Sequence, residues 1–139
     1  MGSLNKMYGF GDISYKTAGK LEGITQLVND FYDYMDTIPE AKHIRSMHKD
    51  DLTESRKKLS YFLSGWMGGP RIYADTFGGL SIPMSHKHLT IDRDSVETWI
   101  LCMQKAIDKQ PYDDTFKVYL IKQLRFPAEK IYQVCNTKV

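Results

Sequence analysis

Four stretches of this chain space their apolar residues by three and four, each closes on Gly or Pro, and no stretch alternates with period two. That pattern restricts the chain to packed helices, since a half-buried strand needs period two and an amphipathic helix a period near 3.6. The first stretch begins at about Thr25, holds Leu27, Val28, Phe31, Tyr34, Met35 and Ile38, and runs to about Thr37, where Ile38-Pro39 disfavours continuation. In the second, Asp51 and Glu54 make a cap-like start. Leu52, Ser55, Leu59, Phe62, Leu63, Trp66 and Met67 form its inward face, Arg56, Lys57 and Lys58 its outward one, and Gly68-Gly69-Pro70 ends it.

The third stretch again opens on a cap-like pair, Asp94 and Glu97, buries Val96, Trp99, Ile100, Met103, Ala106 and Ile107, and stops at Gln110-Pro111. The fourth, with Phe116, Tyr119, Leu120, Gln123 and Leu124, reaches Phe126-Pro127. Ile131, Val134 and Cys135 then mark a last segment or a kinked continuation. The expected class is all-α. The 139 residues suit one domain, with a loosely docked arm over residues 1–24, where periodicity is absent, and a helical core over 25–135.

A net charge of +2, from 19 basic and 17 acidic side chains dispersed along the chain, leaves no basic stripe for nucleic acid. No run approaches the roughly 20 apolar residues of a membrane span, and the N-terminus lacks a signal-peptide pattern, so a soluble cytoplasmic protein is expected. Cys102 and Cys135 lack the spacing of a zinc or disulfide framework and read as two buried free thiols. Met67 and Met103 fall at helical spacing with Leu63 and Trp99, which makes them core filling rather than a redox or copper centre.

Between the second and third stretches lies an unusual connector: Gly68-Gly69-Pro70, then Gly78-Gly79, then a short helix opened by Pro83 and holding Ser85 to Leu89. It carries His86 and His88, about 200° apart on a helix, so one of them faces inward. Ile82 and Leu89 flank His86 on one face, which sets its imidazole in an apolar wall. Spacing alone leaves two readings open, a ligand to a large flat cofactor and a core histidine satisfied by a backbone carbonyl.

Beyond periodicity, the chain resembles the truncated haemoglobins, and in particular their second group. The residues that carry the resemblance are Phe31-Tyr32, Asp51-Leu52, the run from Phe62 to Pro70, Tyr73, His86 with Leu89 and Ile91, and Trp99 with Cys102-Met103. The resemblance implies a two-over-two helical sandwich around haem b, with iron held by a proximal histidine. In that family an apolar residue follows the histidine by three positions and an isoleucine by five. His86, with Leu89 and Ile91, fits; His88, followed by Ile91 and Arg93, does not. Lys58, Phe62, Tyr73, Ile82, Leu89, Ile91 and Met103 are the other implied cofactor contacts. Ser85 stands where many relatives carry an arginine for a haem propionate, so Lys58, Tyr73 and Lys87 become candidates for that role.

On the opposite side the resemblance implies a distal pocket of Tyr32, Trp99, His48, Ser55 and Leu59. The Tyr32 hydroxyl and the Trp99 indole N–H are its donors to a polarised bound dioxygen, and His48 is a further donor or an endogenous iron ligand. The expected function is reversible binding of dioxygen or another diatomic ligand, with a reductase as possible partner. The same residues would also serve a haem enzyme acting on nitric oxide or peroxide, and a cofactor-free helical interaction module is a remote third class.

Overall fold

The computed structural model describes residues 8–77 and 89–136. The four periodic stretches become helices α2 (Lys20–Thr37), α4 (Thr53–Trp66), α6 (Arg93–Asp108) and α7 (Asp114–Asn136). Three short helices, α1 (Ile13–Thr17), α3 (Lys42–Ser46) and α5 (Ile72–Phe77), and a 3₁₀ turn at Pro39–Ala41 fill the connections. About 76% of the chain is helical, and the described residues contain no strand, which is the expected all-α class.

Helix α2 packs on both α4 and α6, α6 also packs on α7, and α5 folds back on α4. Two helix pairs, α2/α4 and α6/α7, therefore lie one over the other. Phe31, Leu27 and Val28 of α2 meet Leu63 of α4, Met103 and Ile107 of α6, and Leu120 of α7 in a core with no solvent exposure. Each such side chain is worth roughly 1.5–3 kcal/mol when fully buried. The α2–α6 seam also holds a polar tie: buried Asp30 accepts from the Gln110 Nε2 at 2.7 Å, and the same nitrogen reaches the Ala106 carbonyl at 2.8 Å.

Residues 8–24 are packed rather than loosely docked. Tyr15 N donates to the Met67 carbonyl at 3.1 Å, Tyr8 packs at 5.0 Å from the Phe116 ring centroid, and Ser14 and Ala18 are buried. The chain can come this close because Gly68 has φ +92°, and a Cβ there would collide with the Gly11 carbonyl oxygen. Gly69 is equally confined, since a Cβ on it would run into the Tyr15 ring. Such contacts run through main chain and single rings, so no apolar period announces them, and α2 starts five residues before the periodic pattern does.

The two cap-like pairs are also corrected. Asp51 Oδ1 accepts from Thr53 N and Thr53 Oγ1 at 2.9 and 2.7 Å, a local turn, while Glu54 pairs with Lys58 at 3.0 Å. At α6 the cap is Asp92, whose extended backbone (φ −102°, ψ −179°) lets Oδ1 accept from Ser95 N at 2.7 Å while Ser95 Oγ accepts from Asp92 N at 3.3 Å. Ser95 Oγ–H also donates to Asp92 Oδ1 at 2.8 Å, and this bond, with the one from Ser95 N, holds the Asp92 carboxyl below the usual carboxylate range. Asp94 then sits in the first turn, where its charge favours the helix N-terminus.

Helix α7 continues through Pro127 as one helix. Arg93 and Arg125 tie it to α6 through paired bonds to Glu129 and Glu97, at 2.5 and 2.7 Å and at 2.8 and 2.9 Å. Of the two thiols, Cys102 is buried and Cys135 only partly so.

Candidate functional site

A cavity of about 160 Å³ opens where α2, α4, α6 and α7 converge. Its walls are largely apolar. Helix α4 supplies Leu59, Phe62 and Leu63, the approach to α6 supplies Leu89 and Ile91, and α6 itself supplies Ser95, Val96 and Trp99. Ile44 and Met47 close it beside His48, and Tyr32 of α2 forms its floor. Leu124, Pro127, Ala128 and Ile131 of α7 make the remaining wall. The four fall on one helical face, at the three-, four- and seven-residue spacing that the sequence displays once the helix is read through Pro127.

Tyr32 is buried, its ring edge-on to Phe31 at 4.9 Å and to His48 at 5.7 Å between centroids. Burial pushes its phenol pKa far up, against a smaller lowering by Arg56, so the hydroxyl keeps its proton and remains a donor. Among the described residues neither the Tyr32 hydroxyl nor the Trp99 indole N–H has a hydrogen-bond partner, yet no fully enclosed side-chain nitrogen or oxygen lacks one. Both residues line the cavity.

His48 Nδ1 lies 2.8 Å from the Ile44 carbonyl, which can only accept, so Nδ1 carries the proton. In neutral His48 the other nitrogen, Nε2, is consequently an acceptor with a ligand-type lone pair, and it donates only when the ring is protonated.

Of the residues expected at a haem site, Tyr32, His48, Leu59, Phe62, Leu89, Ile91 and Trp99 line the cavity together. Ser55 is half-buried on α4 and does not reach it. Lys58 pairs with Glu54 and covers the Phe77 ring at 5.5 Å, while Tyr73 packs on Phe62 and Phe77 with centroids 6.3 and 5.2 Å away. Met103 is wholly enclosed in the core. His86 and Ile82 lie outside the described residues, as do Ser85, Lys87 and His88. His43 reaches the Thr90 carbonyl with Nε2 at 3.1 Å.

Arg56, read from the sequence as an outward charge, instead bends over Tyr32 with its guanidinium carbon 5.7 Å from the ring centroid. No local sequence signal marks this turn, because the partners lie on another helix.

Apolar walls with two unpartnered donors and an imidazole suit a large flat group that is mostly hydrocarbon and presents one polar reactive position, which is the chemistry of haem. No three His, Cys, Asp or Glu side chains cluster among the described residues.

Comparison with known proteins points the same way. A family model described as bacterial-like globin matches residues 14–132. The group 2 truncated hemoglobin YjbI of Bacillus subtilis (strain 168) is 29% identical over 114 residues, covering 82% of this chain and 83% of that protein. Among solved structures, the cold-adapted truncated hemoglobin of the Antarctic marine bacterium Pseudoalteromonas haloplanktis TAC125 superimposes with a TM-score of 0.80 at 29% identity, covering 90% of this chain and 98% of that one. The group II 2-on-2 hemoglobin of the plant pathogen Agrobacterium tumefaciens gives a TM-score of 0.80 at 27% identity, covering 85% and 92%.

Proposed function

The chain belongs to the bacterial-like globin family, and from that premise we propose that it binds haem b through His86 and uses it to bind dioxygen, or another diatomic ligand, reversibly. The observation that carries this reading is the cavity itself: apolar walls from four helices, and two donors, Tyr32 and Trp99, left without partners among the described residues. Haem supplies the iron at which a diatomic ligand can bind and be released.

The chain's own residues do the rest. His86 is the proposed iron ligand; Ile82, Leu89, Ile91 and Phe62 would be apolar contacts of the haem, with Met103 behind them, and Lys58 and Tyr73 would serve its propionates. Tyr32 and Trp99 donate to the ligand. Donation to a negatively charged acceptor is stronger than a neutral hydrogen bond, so these two donors would slow the ligand's release. His48 and Leu59 complete the distal side, His48 as the acceptor that its Nδ1–Ile44 bond makes it. Among the described residues no helix is long and apolar enough to cross a membrane, and we place the protein's work in the cytoplasm, with a reductase to keep the iron ferrous.

Stopped-flow kinetics on the reduced, haem-loaded protein test this function. Slow dioxygen dissociation with negligible peroxide turnover is expected. Rapid consumption of nitric oxide or peroxide in the presence of a reductase would replace ligand binding with redox catalysis.

A further inference from the structure

We infer that Arg56 is a positioning residue of the cavity: its guanidinium, fixed to α2 through Asn29 and Asp33, lies against the Tyr32 ring and holds that phenol with its hydroxyl on the cavity. The effect on ligand release rests on the haem reading above; the contact itself rests on the distances alone.

Arg56 follows Ser55 on α4, yet it is turned toward α2. Nη1 donates to the Asn29 carbonyl at 3.0 Å and to Asn29 Oδ1 at 3.3 Å, and Nη2 donates to Asp33 Oδ1 at 3.0 Å. The Asp33 pair is exposed and contributes little by itself. Together, however, the three bonds immobilise a planar fork that a lysine cannot reproduce, and a guanidinium is the cation best suited to lie on an aromatic face. At 5.7 Å from the Tyr32 centroid it falls within the roughly 6 Å over which ring and cation attract.

The two aromatic neighbours of the ring come from outside α4. Phe31 and His48 both meet Tyr32 edge-on, at 4.9 and 5.7 Å. Without the guanidinium, the ring keeps these two edge contacts and loses the charged one that α4 supplies. The cation also favours negative charge on the phenol oxygen and so opposes the effect of burial. The same field polarises the O–H bond and strengthens it as a donor.

The test compares R56M, R56K, Y32F and the double variant R56M/Y32F. In haem-loaded protein, R56M is expected to release dioxygen about five- to tenfold faster, R56K to fall between R56M and the parent, and R56M to add nothing once Tyr32 is Phe. The C–O stretching band of the carbon monoxide complex should shift in R56M and stay put when R56M is added to Y32F. Equal acceleration with and without the Tyr32 hydroxyl, or none in R56M, would overturn the positioning role.

A second readout needs no haem. In protein carrying ¹³C-labelled tyrosine, the ring signal that disappears in Y32F should move in R56M and move less in R56K. If the parent takes up no haem, the haem reading fails and this signal alone decides the clamp; an unmoved signal overturns it. Should R56M fail to fold, parent values in R56K for both readouts overturn the inference, and intermediate values sustain it.

Discussion

His86→Gly is expected to abolish stable haem retention, and His88→Gly to leave the visible spectrum unchanged. The structure fixes the chain just beyond His86. Leu89 and Ile91, three and five positions on, line the cavity, and the segment that holds them is pinned from both sides. His43 reaches the Thr90 carbonyl at 3.1 Å, Asn136 Nδ2 donates to the Ile91 carbonyl at 2.7 Å, and Arg93 is paired to Glu129.

Losing a partner that merely orients a metal ligand costs about 10–100-fold in affinity, and losing the ligand itself should cost more. Haem loss to an excess of a second apoglobin measures it. Added imidazole should restore retention in the His86 variant; equal retention in both glycine variants would move the iron ligand elsewhere.

The second large effect is expected on the distal side. Tyr32→Phe and Trp99→Phe each remove one donor that no described residue otherwise engages. A hydrogen bond to a charged partner contributes roughly 1.5–3 kcal/mol, so each substitution should speed dioxygen release by about 10- to 150-fold. Neither substitution leaves a large void. The ring of Tyr32 survives as Phe, and a benzyl ring in place of the Trp99 indole still packs near Phe31, whose centroid lies 5.2 Å from that of the indole. The two donors share one ligand, so their effects should be less than additive. Flash photolysis of the dioxygen complex gives these rates directly, and unchanged rates in both variants would remove Tyr32 and Trp99 from the ligand's surroundings.

The long helices are legible in the sequence because a periodic apolar face over 14 or more residues has no other stable use. Helices α1 and α3, of five residues each, and α5, of six, are too short to show a period, and their positions depend on what they dock against. The caps of α4 and α6 escape the sequence for a related reason: acidic residues three positions from a polar partner recur, and only the backbone conformation at Asp92 selects among them. Tyr32 and Trp99 can be named through family likeness, whereas Arg56 cannot. Its neighbours Lys57 and Lys58 are exposed, and what turns Arg56 inward is Asn29 and Asp33, more than twenty residues away. The α7 wall of the cavity falls between these cases. Its spacing is in the sequence, but Pro127 argues for an interruption that the helix does not make.

Whether the cavity holds haem is decided by titrating the haem-free protein with haemin and recording its absorption spectrum. A sharpened Soret band that saturates at one equivalent is expected and, on reduction, the spectrum of a histidine-ligated ferrous haem. A spectrum that remains that of free haemin throughout the titration would contradict haem binding.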